Sequence, residues 1–95
     1  MKIIKEYILR EVAGEAILVP TGKTAQEFNG MITLSETAAF IWKNIEKVDS
    51  LQELVDKILE EYDTDYETAY KDAFRFTADL IEYEIAQPTK EDMSW

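Results

Sequence analysis

The stretch Met31-Ile32-Thr33-Leu34-Ser35-Glu36-Thr37-Ala38-Ala39-Phe40-Ile41-Trp42 changes its periodicity halfway along. Met31 to Leu34 is an apolar run of strand length. Ser35 then offers a hydroxyl to the free amides of a first helical turn. From there Ala38, Ile41, Trp42 and Ile45 fall at helical spacing, which predicts a helix from Glu36 to about Glu46. Leu34 before the cap and Ala39 behind it are spaced for a hydrophobic staple. Short β-like runs precede this junction, and helical patterns follow it.

Upstream, Tyr7-Ile8-Leu9-Arg10-Glu11-Val12 mixes apolar and charged residues as a half-buried strand does, and Ala16-Ile17-Leu18-Val19 reads as a more buried one. Ala13-Gly14-Glu15 is a turn signal that joins them as a hairpin. Pro20-Thr21-Gly22-Lys23-Thr24 ends the second strand, because proline cannot donate to a ladder and glycine tolerates a turn. A polar loop is expected through Glu27. Asn29-Gly30, just before the third strand, suits a bulge or a tight bend.

Downstream, Ser50 with Glu53 three residues later is a capping box, and Leu51, Leu54, Val55, Ile58 and Leu59 form one apolar stripe on a second helix ending near Tyr62. Thr64 and Glu67 suggest a second box, opening a third helix from about Asp65 to Glu84. That helix carries two stripes. Ala69, Ala73, Phe76, Leu80 and Tyr83 repeat at 4-3-4-3, and Tyr70, Phe74, Thr77 or Ala78, and Ile81 run beside them. Either the second stripe widens the core or it walls a groove, and spacing alone does not choose. The tail from Gln87 to Trp95 is polar and is expected to be mobile.

At 95 residues the chain has the length of one domain with a single modest core, and its 46% apolar content fits a globular class. With no cysteine it has no disulfide framework, which suits a reducing cytoplasm. The start, Met1-Lys2-Ile3-Ile4-Lys5-Glu6, lacks the long apolar core of a signal peptide, and no run approaches the roughly 18 apolar residues of a membrane span. A soluble cytoplasmic protein is expected. The formal charge of −10 is lopsided: residues 1–45 sum to zero, whereas 46–95 hold five basic side chains against fifteen acidic ones. Such a field repels phosphate backbones and anionic membranes and attracts cationic partners.

Histidine and cysteine are both absent, which removes the commonest general base, metal ligand and thiol nucleophile. The serines at 35 and 50 are accounted for as caps, and the scattered glycines at 14, 22 and 30 make no phosphate loop. The residue set argues against catalysis by this chain alone, and no cofactor is implied. Asp63-x-Asp65-x-Glu67 has the first acids of a calcium loop without its glycine or distal glutamate. Acidic residues favouring a helix N-terminus explain it better. Phe40 and Trp42 read as core residues.

Three strands followed by three helices is an α+β, winged helix-turn-helix-like order: a three-stranded antiparallel sheet, then three helices. The segments Leu9 to Val19, Leu34-Ser35-Glu36-Thr37-Ala38-Ala39-Phe40-Ile41-Trp42, Ser50 to Val55 and Glu60-Glu61-Tyr62 to Glu67 resemble the PqqD family. The likeness spans roughly residues 7–86, which implies a PqqD-like domain over 1–87 with 88–95 as its tail. That family includes the recognition elements for ribosomally made, post-translationally modified peptides (RiPPs). The resemblance implies a non-catalytic chaperone that captures the leader segment of a precursor peptide and presents it to a modifying enzyme, often a radical SAM enzyme. The leader then lies as an added strand on the third strand, in a groove walled by the third helix. The implied peptide-binding residues are Phe28, Asn29, Met31, Ile32 and Thr33 with Tyr70, Phe74, Thr77, Ala78 and Ile81; Phe28, Met31, Tyr70 and Phe74 are the expected anchors. The family's usual glycine near the end of the third helix is replaced around Tyr83-Glu84.

Two other classes fit the outline. A winged-helix transcription regulator would need a basic recognition helix, and Glu67, Asp72, Asp79, Glu82 and Glu84 against Lys71 and Arg75 oppose that. A small accessory subunit of a larger enzyme is the other. An open strand edge also permits a homodimer by strand pairing, in competition with a guest peptide.

Overall fold

The computed structural model describes residues 1–27 and 30–89. The expected hairpin forms from β2 (Tyr7–Val12) and β3 (Glu15–Pro20), which pair antiparallel from Tyr7↔Pro20 to Val12↔Glu15. Its two-residue turn has φ of 53° at Ala13 and 82° at Gly14, as a type I′ turn requires. Glycine adopts this conformation without penalty, and alanine does not. β4 (Ile32–Leu34) adds to β3 with Ala16 opposite Leu34 and Leu18 opposite Ile32. The sheet order β2-β3-β4 therefore leaves β4 at an edge.

The helices follow with α2 (Glu36–Asn44), a short 3-10 turn (Ile45–Lys47), α3 (Leu51–Glu61) and α4 (Tyr66–Glu82). Both serine caps form: the Ala38 amide donates to Ser35 Oγ at 3.1 Å and the Glu53 amide to Ser50 Oγ at 3.2 Å. Glu53 completes its box one residue early, accepting the Asp49 amide at 3.0 Å. α4 is capped by Asp65 rather than Thr64. The Thr68 amide donates to its carboxylate at 2.7 Å, and a carboxylate at that end also gains from the helix dipole. The continuous helix expected to about Glu46 tightens at Ile45, next to Asn44, whose side chain donates to the Phe40 carbonyl at 2.8 Å.

Two features escape a local reading. The polar segment expected as a loop is α1 (Gly22–Glu27), held by long-range bonds: the Thr21 amide donates to the Glu6 carbonyl at 2.9 Å, and the buried Thr24 hydroxyl accepts the Glu6 amide at 2.9 Å. The second is a separate two-stranded sheet, in which β1 (Lys2–Ile3) pairs antiparallel with β5 (Ala86–Gln87). It ties the chain start to the end of α4, with the Ile3 amide donating to the Glu46 carboxylate at 2.9 Å and Met1 buried. Of the expected tail, residues 90–95 lie outside the described residues.

The core has two parts. Ile41, Ile45, Leu54, Val55, Ile58, Ala73 and Leu80 fill the space between helices, and Leu18, Leu34 and Ala39 fill the space beneath the sheet. Leu34 and Ala39 thus meet as the staple spacing predicts. Tyr7, Ile32, Trp42 and Phe76 pack against both parts and form the seam, with Tyr7 and Trp42 edge to face at 6.5 Å.

On α4 the buried line is Ala69, Ala73, Thr77 and Leu80, with Phe76 half-buried and Tyr83 66% exposed. The 4-3-4-3 stripe averages 3.5 residues per turn. An α-helix turns every 3.6 residues or so, so such a stripe drifts off the core axis by Tyr83. The true line steps 4-4-3.

Candidate functional site

The exposed edge of β4 borders a groove of about 570 Å³. One wall is Met31 with β4 behind it, and the opposite wall is the C-terminal half of α4, through Phe76, Leu80 and Tyr83. Leu18, Tyr7, Ala38 and Ile85 close the floor and ends. Three of these, Tyr7, Ile32 and Phe76, also belong to the seam between the two core clusters. The groove is therefore an opening onto the interior, where sheet and helices separate. Its lining is mostly apolar, with charge only at Lys5 and Asp79.

Edge and groove face the same space. Among the described residues β4 pairs with β3 on one side only, so its other side presents main-chain donors and acceptors beside apolar side chains. Such an edge can accept an extended chain through main-chain hydrogen bonds while alternate side chains enter the groove. Lys5 steadies one end. Its ammonium donates to the Tyr83 carbonyl at 3.1 Å, holding the β1–β2 connection to the end of α4 and placing a cation at that helix's C-terminus.

The end of α4 is shaped by its backbone. The Ile85 amide donates to the Leu80 carbonyl at 2.8 Å and the Glu84 amide to the Ile81 carbonyl at 3.1 Å, the two bonds of a Schellman motif, with Glu84 left-handed at φ 58°. Leu80 and Ile85, which this motif brings together, both line the groove. The position where the resemblance places a glycine is thus held by a glutamate in a conformation that favours glycine.

A larger depression, about 970 Å³, lies where the hairpin turn meets α2 and the end of α3. It is acidic: Glu11, Glu15, Glu36, Glu60 and Glu61 face Lys43 and Lys57. Lys43 is already engaged, donating to Glu11 at 2.9 Å, and that bond raises its pKa. Tyr62 borders the depression and stacks edge to face on Phe40 at 5.5 Å; burial pushes its hydroxyl pKa up. Among the described residues, no group of three potential metal ligands comes together. No helix among them is long and apolar enough to cross a membrane.

Of the ten residues anticipated at a peptide site, the structure brings Met31, Ile32 and Thr33 to the groove. Phe28 and Asn29 lie outside the described residues. Thr77 is buried in the α4 core line, where its hydroxyl has no hydrogen-bond partner. Tyr70, Phe74, Ala78 and Ile81 are exposed on α4 but do not line this groove. The residues that do are Phe76, Leu80 and Tyr83, three members of the stripe assigned to the core. Drift of that stripe could have flagged Tyr83 alone, which is exposed; Leu80 is buried and Phe76 half-buried, and periodicity gave no signal that they border an opening.

The comparisons agree with this architecture. Among solved structures, the fold is similar to TbiB1 in complex with the TbiA(beta) leader peptide, with a TM-score of 0.65 and 25% sequence identity over 90% of this chain and 93% of that one. No curated protein matches the chain. The family model of coenzyme PQQ synthesis protein D (PqqD) matches residues 15–86, from the start of β3 to the first residue of β5. A match over most of the chain, including both walls of the groove, makes this protein a member of the PqqD family.

Proposed function

We propose that the protein is a non-catalytic peptide-binding chaperone. The leader segment of a ribosomally synthesised precursor peptide adds to β4 as a fourth strand and is presented to a modifying enzyme, a radical SAM enzyme in this reading. The observation that carries the proposal is the open edge of β4 running along an apolar groove, in a chain whose fold is similar to that of a protein solved with a leader peptide. Each main-chain hydrogen bond contributes only about 1 kcal/mol net, so side chains entering the groove supply much of a micromolar interaction. Met31, Ile32, Phe76, Leu80 and Tyr83 are the contacts we assign. They take the role that the resemblance gave to Tyr70, Phe74, Thr77, Ala78 and Ile81.

The test is an NMR titration with the leader peptide encoded beside the gene for this chain. Amides of residues 30–34 and 76–85 are expected to shift together, with an added antiparallel or parallel strand visible as new cross-strand NOEs to β4. Shifts confined to other surfaces, or none at millimolar peptide, would falsify the proposal.

A further inference from the structure

α4 has a second apolar face that the groove does not use. Tyr66, Tyr70 and Phe74 follow one another at intervals of four and stack in series: ring centroids are 6.2 Å apart at 22° for the first pair and 6.1 Å at 13° for the second. All three are largely exposed, at 50%, 41% and 55%. Successive helical residues are about 100° apart, so Tyr70 and Phe74 flank the buried line on the side away from Phe76, Asp79 and Tyr83. The ladder and the groove occupy opposite flanks of one helix.

Packing within the helix does not account for the ladder. Pairs spaced by four stabilise a helix by only about 0.2–0.5 kcal/mol each, whereas burying one aromatic side chain is worth roughly 1.5–3 kcal/mol. The ladder is also pre-ordered. Tyr66 donates its hydroxyl to Gln52 Oε1 at 2.8 Å, and Gln52 Nε2 donates to Asp56 at 2.9 Å, so α3 holds the first ring in place. Rigid aromatics lose little entropy on docking, as a binding surface requires.

Charge selects the occupant. Asp65 and Glu67 adjoin Tyr66 in sequence, Asp56 accepts from the Gln52 amide to which Tyr66 is bonded, and the half of the chain that bears the ladder holds fifteen acidic against five basic side chains. Lys71 and Arg75, the two basic residues of α4, each follow a ladder residue by one position, and Lys71, three residues before Phe74, is the one cation of α4 on the ladder's flank. Lys71 is 3.7 Å from Glu67. A second copy of this chain would bring like charge against like charge, and an anionic membrane would be repelled. Exposed ring faces in an acidic field suit arginine, whose planar, weakly hydrated guanidinium stacks on aromatic rings.

We propose that the Tyr66-Tyr70-Phe74 face of α4 is a docking surface for a protein partner that presents arginine side chains, and that it can be occupied while the groove is filled. The inference does not depend on what the groove binds.

Hexa-arginine and hexa-lysine peptides are suitable probes of the intact chain, followed by aromatic and amide NMR. Hexa-arginine is expected to move the ring resonances of Tyr66, Tyr70 and Phe74 and to bind about tenfold more tightly than hexa-lysine. The paired substitution Tyr70→Ser with Phe74→Ser should abolish that preference while residues 30–34 keep their wild-type shifts, which also reports that the variant is folded. Equal binding of the two peptides, a response spread over the acidic helices with the rings silent, or an undiminished preference in the double variant would each overturn the proposal. So would a concentration-dependent dimer that the same substitutions dissolve, since it would assign the face to a second copy.

Discussion

The amide of Ile85 meets the carbonyl of Leu80 at 2.8 Å, and this one bond both closes α4 and sets two residues of the groove side by side. It requires Glu84, between them, to adopt a φ of 58°. The left-handed region costs a side-chain-bearing residue about 1–2 kcal/mol. Glu84→Gly is expected to raise stability by about 1 kcal/mol after the added freedom of the unfolded chain is counted, read as a higher denaturation midpoint at unchanged m-value. A lower midpoint would show that the motif is not strained.

Thr77 presents the second stored cost. Its hydroxyl is buried on the core side of α4 without a hydrogen-bond partner, and an unbonded buried hydroxyl costs on the order of 1–3 kcal/mol. Thr77→Val keeps the shape and removes the polar atom. Thermal unfolding should show stabilisation of about 1 kcal/mol, and a destabilised variant would mean that the hydroxyl is satisfied in solution.

The cap of α4 makes stability depend on pH. The Thr68 amide bonded to Asp65 holds its carboxyl below the ordinary carboxylate range. A group whose pKa is depressed by folding contributes fully above its unfolded pKa, and the contribution disappears as pH falls through the folded value. Chemical denaturation between about pH 7 and about pH 3 should therefore show a loss that Asp65→Asn, which keeps an accepting oxygen without a titrating charge, reduces. Identical pH profiles for the two proteins would remove Asp65 from the account.

In the groove, Met31 is 65% exposed, so Met31→Asp should alter stability by no more than about 0.5 kcal/mol. The same change puts a charge where a guest side chain must be desolvated, and leader affinity is expected to fall at least about tenfold in calorimetry. Tyr83→Ala, on the opposite wall, should behave alike. Unchanged affinity in both would move the peptide to another surface.

Where the determinants were local, the amino-acid sequence was sufficient. Ser35 and Ser50 cap the helices they precede, Ala13-Gly14 turns the hairpin, and the residues at 51, 54, 55 and 58 form a core stripe, because each depends on groups within one or two turns of chain. The PqqD resemblance, rather than local pattern, set residues 31–33 at a strand edge beside the last helix; Ile32 and Thr33 fall in β4 and Met31 just before it. Tertiary structure decided the rest. α1 exists because Glu6 supplies bonds from fifteen or more residues away in the chain, and β1 and β5, two residues each, exist only as partners of one another. Which apolar flank of α4 walls the groove and which stands free was likewise beyond periodicity. A helix with two stripes has no preferred face until a sheet packs against it, and here the seam residue Phe76 turned one flank toward β4 and left Tyr70 and Phe74 in water.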